Sequence, residues 1–111
     1  MEESEVIKEL SLIRYHQRLI VEMLARSDKE FYKLIIYYGL SEIEVQEFYD
    51  LCESLNMDLE VQKAEGFVYY HPLYRQFLER LNKKLSAKEV IHACISQKLY
   101  LTLMAELENY I

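Results

Sequence analysis

The pair best suited to chemistry in this sequence is Glu89 and His92, in the stretch EVIH. A Glu-x-x-His spacing places a carboxylate and an imidazole on one helix face, the arrangement by which di-iron and di-manganese helical bundles hold metal. One copy supplies half a site, and the sequence contains no second. A twofold dimer completes it only with His92 at the axis and inward-facing carboxylates from two other helices. Glu89 also has a competing role, as the capping-box partner three residues after Ser86. Cys52 and Cys94 fall on apolar helical stripes without a CxxC or a His at zinc-finger spacing, which reads as reduced core thiols rather than nucleophiles or ligands. No GxSxG, HExxH or phosphate-cradling glycine loop is present, and two glycines leave little means of wrapping backbone amides around an anion. His16, between Tyr15 and Gln17, reads as a partly exposed helix residue. The expectation is a protein without catalytic activity, cofactor or metal.

Elements able to position those residues are helices. The chain has 111 residues, 51% hydrophobic and 29% charged, with two glycines and one proline. That length suits a single domain over 1–111, and the shortage of turn formers argues against sheet. No run of about 18 apolar residues occurs, and the opening MEESEVIKEL carries acids where a signal peptide carries positive charge, so a cytosolic protein is expected.

From about Ser4 to Ala25 the apolar spacing predicts one long helix. Its seam of Val6, Leu10, Ile13, Gln17, Ile20 and Leu24 alternates steps of four and three, the a/d spacing of a coiled coil. A second surface must cover such a helix, and Gln17, polar within the seam, is the candidate for fixing its register. A short second helix is expected after Ser27 or Asp28 as N-cap, carrying Phe31, Leu34, Ile35 and Tyr38 and stopping at Gly39. Ser41 and Glu44 form a capping box, with Leu40 and Val45 as its hydrophobic staple, for a third helix reaching about Glu65 and closed by Gly66. Pro72 is placed at the first position of a fourth helix. Ser86 and Glu89 repeat the capping box for a fifth, and a sixth runs from about Lys98 to Tyr110. The fold class expected is all-α: a multihelical bundle of five to six helices, its long N-terminal helix packing in a homodimer.

Between the third and fourth helices lies EGFVYYHPLY. Gly66 stops one helix, Pro72 starts the next, and His71, preceding proline, is biased to extended backbone and suits the cap position. Phe67, Tyr69, Tyr70, His71 and Tyr74 are then interface candidates at a joint, with side chains alternating between core and partner. Ten tyrosines and no tryptophan exceed what core packing needs, and tyrosine suits interfaces because it buries a ring and keeps a polar tip.

Charge is uneven: residues 42–65 hold eight acids and one Lys, residues 75–88 five basic residues and one acid. These stretches face one another, within the chain or across an interface, or stand as two solvated faces. The net charge of −6 opposes nucleic acid as a partner. A helix-turn-helix reading of YYGLSEIEVQEFY would open its recognition helix with Glu42, Glu44, Glu47 and Asp50, which the groove would repel. The stretch Arg75, Arg80, Lys83, Lys84 and Lys88, with tyrosines upstream, is the one nucleic-acid alternative.

FYKLIIYYGLS (31–41), QKAEGFV (62–68), LNKKL before the second cap and the LY and LM pairs near the end resemble the YhaI-like family of small uncharacterised bacterial proteins. The likeness covers most of the chain after residue 30; before it, the first helix matches in pattern more than in letters. It implies an all-helical homodimer, with exchange of helical segments between subunits as one form, and a function not established. It carries no active site to transfer.

Overall fold

The computed structural model describes residues 2–25 and 27–111. Six helices follow in order: α1 (Glu3–Leu24), α2 (Glu30–Tyr38), α3 (Glu42–Ala64), α4 (His71–Arg80), α5 (Ala87–Gln97) and α6 (Leu101–Glu108). No strand is present among the described residues, and the fold is all-α.

Helices α2 to α6 share one core. Phe31 of α2 stacks on Phe48 of α3 with ring centroids 4.9 Å apart, and Phe48 meets Phe77 of α4 edge-on at 6.4 Å. Leu55, Leu59, Leu73, Val90, Ile91, Leu103, Met104 and Leu107 close around these rings with their side chains fully buried. The closest packing joins α5 to α6 and to α2, and α3 lies across α4 and α6.

Helix α1 stands apart. None of its described side chains is buried, and it packs only through its last turns, where Val21 and Leu24 are half-covered beside α2. At 1.5 Å per residue its 22 residues make a rod about 33 Å long. The chain accordingly extends over 63 × 28 × 18 Å with a radius of gyration of 17.5 Å, against about 13 Å for a compact chain of this length.

The helix boundaries show where local signals sufficed. At Ser41 both halves of the capping box form: the Ser41 hydroxyl accepts from the Glu44 amide at 3.1 Å, and the Glu44 carboxylate accepts from the Ser41 amide at 3.0 Å. Gly39 and Gly66 both adopt positive φ, at 68° and 90°, as C-terminal stops. Other boundaries differ from the sequence expectation. Neither Ser27 nor Asp28 caps α2; Lys29 occupies the cap position without a side-chain bond, and the Gln97 side-chain oxygen accepts from the amides of Phe31 at 2.9 Å and Tyr32 at 3.3 Å. A residue 66 positions away thus satisfies donors that a local cap was expected to take. Tyr70, rather than His71, is the cap residue of α4, which places Pro72 at the second helical position, still within the turn where its missing N–H costs no helical bond.

The sixth helix begins at Leu101 rather than about Lys98, because two left-handed residues, Lys98 (φ 62°) and Tyr100 (φ 48°), break the chain between α5 and α6. The Lys98 and Leu99 amides donate back to the ends of α5, so the turn closes as a helix stop without glycine. That reversal folds α6 back against α5 and buries Leu103, Met104 and Leu107.

Candidate functional site

The EVIH pair lies on α5 with Glu89 and His92 on one shallow surface beside Glu30, Leu34 and Ala93. Ser86 accepts from the Glu89 amide at 3.5 Å. The expected reciprocal bond to the Ser86 backbone is replaced: the Glu89 carboxylate accepts from the Tyr38 hydroxyl at 2.7 Å. Helix α2 brings Tyr38 within reach, and the hydrogen bond to the carboxylate raises the pKa of the phenol. His92 is exposed and its Nε2 lies 3.5 Å from Glu108 on α6. Glu89 and His92 therefore each bind a different neighbour, and no group of three metal-ligating side chains converges among the described residues.

Both thiols are buried and unpaired. Burial pushes Cys94 up to about 12 and Cys52 higher still, which holds both as thiols through the physiological range. Their place among apolar side chains agrees with the sequence reading.

At the joint after α3, the five aromatic candidates separate. Tyr70 is buried, its amide donating to the Tyr110 hydroxyl at 2.8 Å and its own hydroxyl donating to the Phe67 carbonyl. His71 and Tyr74 are half-covered, while Phe67 and Tyr69 are exposed together with Val68. Alternation between two faces is not what the backbone produces: one ring of the five enters the core. His71 sits among three tyrosine rings, parallel to Tyr69 at 6.0 Å, edge-on to Tyr110 at 5.6 Å and tilted against Tyr74 at 6.1 Å. Tyr110, from the end of the chain, ties this cluster together. The excess of tyrosine was legible in the sequence, but a contact spanning 40 residues was not.

The acidic helix and the basic stretch meet within the chain at one place. Lys84 donates to Glu44 at 2.9 Å, the Asn82 amide donates to the same carboxylate at 2.7 Å, and Arg80 lines the adjacent cleft with Glu44 and Glu47. The Lys84 ammonium, the Ser41 amide and Asn82 together hold the Glu44 carboxyl at about 2, well below the usual carboxylate range. One acid thereby closes the α3 capping box and ties it to the loop before α5. Arg75 lies on α4, Lys83 in the loop that follows it and Lys88 on α5, so the remaining basic residues are spread over three segments.

The largest exposed feature is α1. Of the six seam residues, Val6, Leu10, Ile13, Gln17 and Ile20 are exposed, Leu10 at 59% and Ile13 at 61%, while Leu24 alone is half-covered. Ile7, Leu12, Leu19 and Met23 widen the apolar surface. Two surfaces adjoin on one side of the helix. One is the open face of Ile7, Leu10, Ile13, Arg14 and Gln17, formed by α1 alone; the next shares Arg14 and Gln17 and is a shallow groove that continues over Val21 to Ile36 and Tyr37 of α2. The surface of the whole chain is 7793 Å², against about 6500 Å² for a compact monomer of this mass. The excess is of the order that one partner buries in a stable interface, about 800 Å².

Residues 3–111 match the family described as protein of unknown function (DUF1878), and the chain belongs to that family. No helix among the described residues is long and apolar enough to cross a membrane.

Proposed function

We propose that this DUF1878 chain is a cytosolic protein-interaction or regulatory module without catalytic activity, and that its working form is a homodimer joined through α1. The observation that carries the reading is the apolar length of α1: a 22-residue helix with no buried side chain and a coiled-coil seam open to solvent. An isolated amphipathic helix gains little from propensity alone and draws most of its stability from packing of its apolar face. A second copy is the partner every such chain has at hand, and closed twofold association is the commonest form of oligomer. The resemblance to YhaI-like proteins, which implies homodimers, supports the same reading.

Sedimentation equilibrium at micromolar concentration tests it. A dimer is expected for the native chain, and Ile13→Asp with Ile20→Asp is expected to return a folded monomer with unchanged helical content of α2 to α6. A native chain that sediments as a monomer would overturn the proposal. Interaction as the biological role is tested separately, by pull-down from native cytosol with and without the double substitution; partners captured equally by both forms would separate the role from α1.

A further inference from the structure

Resting on that reading, we infer that the two copies pair antiparallel, the first half of each α1 seated in the groove between the second half of its partner's α1 and the partner's α2. Two independent features of the surface lead there.

The first is shape. The first half of α1 touches nothing, so Ile7, Leu10 and Ile13 form a bare ridge. The second half is flanked by α2, and there Ile36 and Tyr37 of α2 line a groove together with Arg14, Gln17, Arg18 and Val21 of α1. A ridge fits a groove, and within one chain the two occupy the same side of the same helix, because the lining residues are shared at Arg14 and Gln17. A twofold axis near the helix midpoint seats each ridge in the other copy's groove at once. Parallel pairing sets ridge against ridge, leaves both grooves empty and brings the two bodies into the same space beyond Leu24.

The second is charge. Residues 2–9 carry four glutamates and one lysine, and residues 14–22 carry two arginines and one glutamate. Antiparallel pairing places the acidic turns of one copy along Arg14 and Arg18 of the other. Parallel pairing superimposes two acidic ends, and like charge across an interface acts against association and selects the register that avoids it. The helix dipoles also oppose one another favourably only in the antiparallel pair.

The test uses the full chain with one added cysteine at a time, Cys52 and Cys94 being buried and left in place. Ile7→Cys and Arg18→Cys proteins are each treated with a short bismaleimide, alone and after mixing to allow subunit exchange. The mixture is expected to give at least about tenfold more covalent dimer than either protein alone. Ile7→Cys cross-linking to itself as well as the mixture does would mean a parallel pair and overturn the inference while leaving the dimer. A sedimenting dimer that neither pair cross-links would place the interface elsewhere and overturn it too. A native chain that is monomeric would overturn both this inference and the reading beneath it. As a second measurement, Arg14→Glu with Arg18→Glu is expected to weaken the dimer at least about tenfold, and adding Glu5→Lys and Glu9→Lys to restore it; failure of the restoration counts against the antiparallel charge match.

Discussion

Helices α1 and α3 have nearly the same length, 22 and 23 residues, and share heptad-like apolar spacing, yet α3 buries Phe48, Leu51, Cys52, Leu55 and Leu59 while α1 buries nothing. The difference lies in what the chain returns to each. After α3 it turns three times, at Gly66, before Ser86 and at Lys98 to Tyr100, and lays α4 and α6 against the apolar face of α3. After α1 it sends back only the nine residues of α2, which cover the final turns and then join the body. An apolar stripe states that a helix needs a neighbour, and the connections decide whether its own chain supplies one.

The contrast implies that changes in the body act on folding and changes in α1 act on association, and the largest expected effect tests that directly. Phe77→Ala empties a fully buried ring position at the centre of the core and should cost about 3–5 kcal/mol, read as a fall in the urea midpoint with unaltered slope. Ile13→Ala in α1 should leave the unfolding of the body within about 0.5 kcal/mol when measured in dilute protein, where association contributes little. Equal losses from the two would erase the distinction.

Next in size is the long-range cap. Gln97→Ala removes the acceptor for two α2 amides, and the loss should be about 1–2 kcal/mol, with hydrogen exchange accelerated first at Phe31 and Tyr32. The same loss should loosen the seat of Val21 and Leu24 and so couple the body to α1. Unchanged exchange at those two amides would show that solvent replaces Gln97 without cost.

At the turn between α5 and α6, Lys98→Gly relieves a left-handed backbone that disfavours a β-carbon, and should raise stability by about 0.5–1 kcal/mol in thermal unfolding. A lower midpoint would mean that the lysine side chain contributes more than the backbone costs.

The smallest effect at neutral pH concerns Glu44. Its carboxyl is held at about 2 in the folded chain against an ordinary 4.5, chiefly by Lys84, so the stability it adds is present above the ordinary value and is lost as pH falls through this range. Glu44→Gln should therefore flatten the fall in thermal midpoint between about pH 4.5 and 2 without changing the dimer. An unchanged acid limb would remove Glu44 from the account.

Much of the body was legible residue by residue. Ser41 with Glu44 and the stops at Gly39 and Gly66 followed from local rules, because caps and periodicity involve neighbours three or four residues apart. Misreadings arose where distant residues competed for the same groups. Gln97 took the amides assigned to Ser27 or Asp28, Tyr38 took the carboxylate assigned to the second capping box, and Tyr100 took up a left-handed backbone that nothing in its type suggests. Of the five aromatic residues that the sequence sets at the joint, Tyr70 alone is buried, its amide held by the Tyr110 hydroxyl from the end of the chain.

The sequence by itself determined an all-helical chain, most of its helix limits, inert core thiols and an apolar seam on the first helix that calls for cover. Tertiary structure decided that the chain leaves this seam open, that Glu89 and His92 are drawn to separate partners, and that α2 builds a groove beside the second half of α1 alone. Helical spacing is set within about four residues and can be read directly, whereas cover, hydrogen-bond competition and grooves depend on which distant segments the loops bring together.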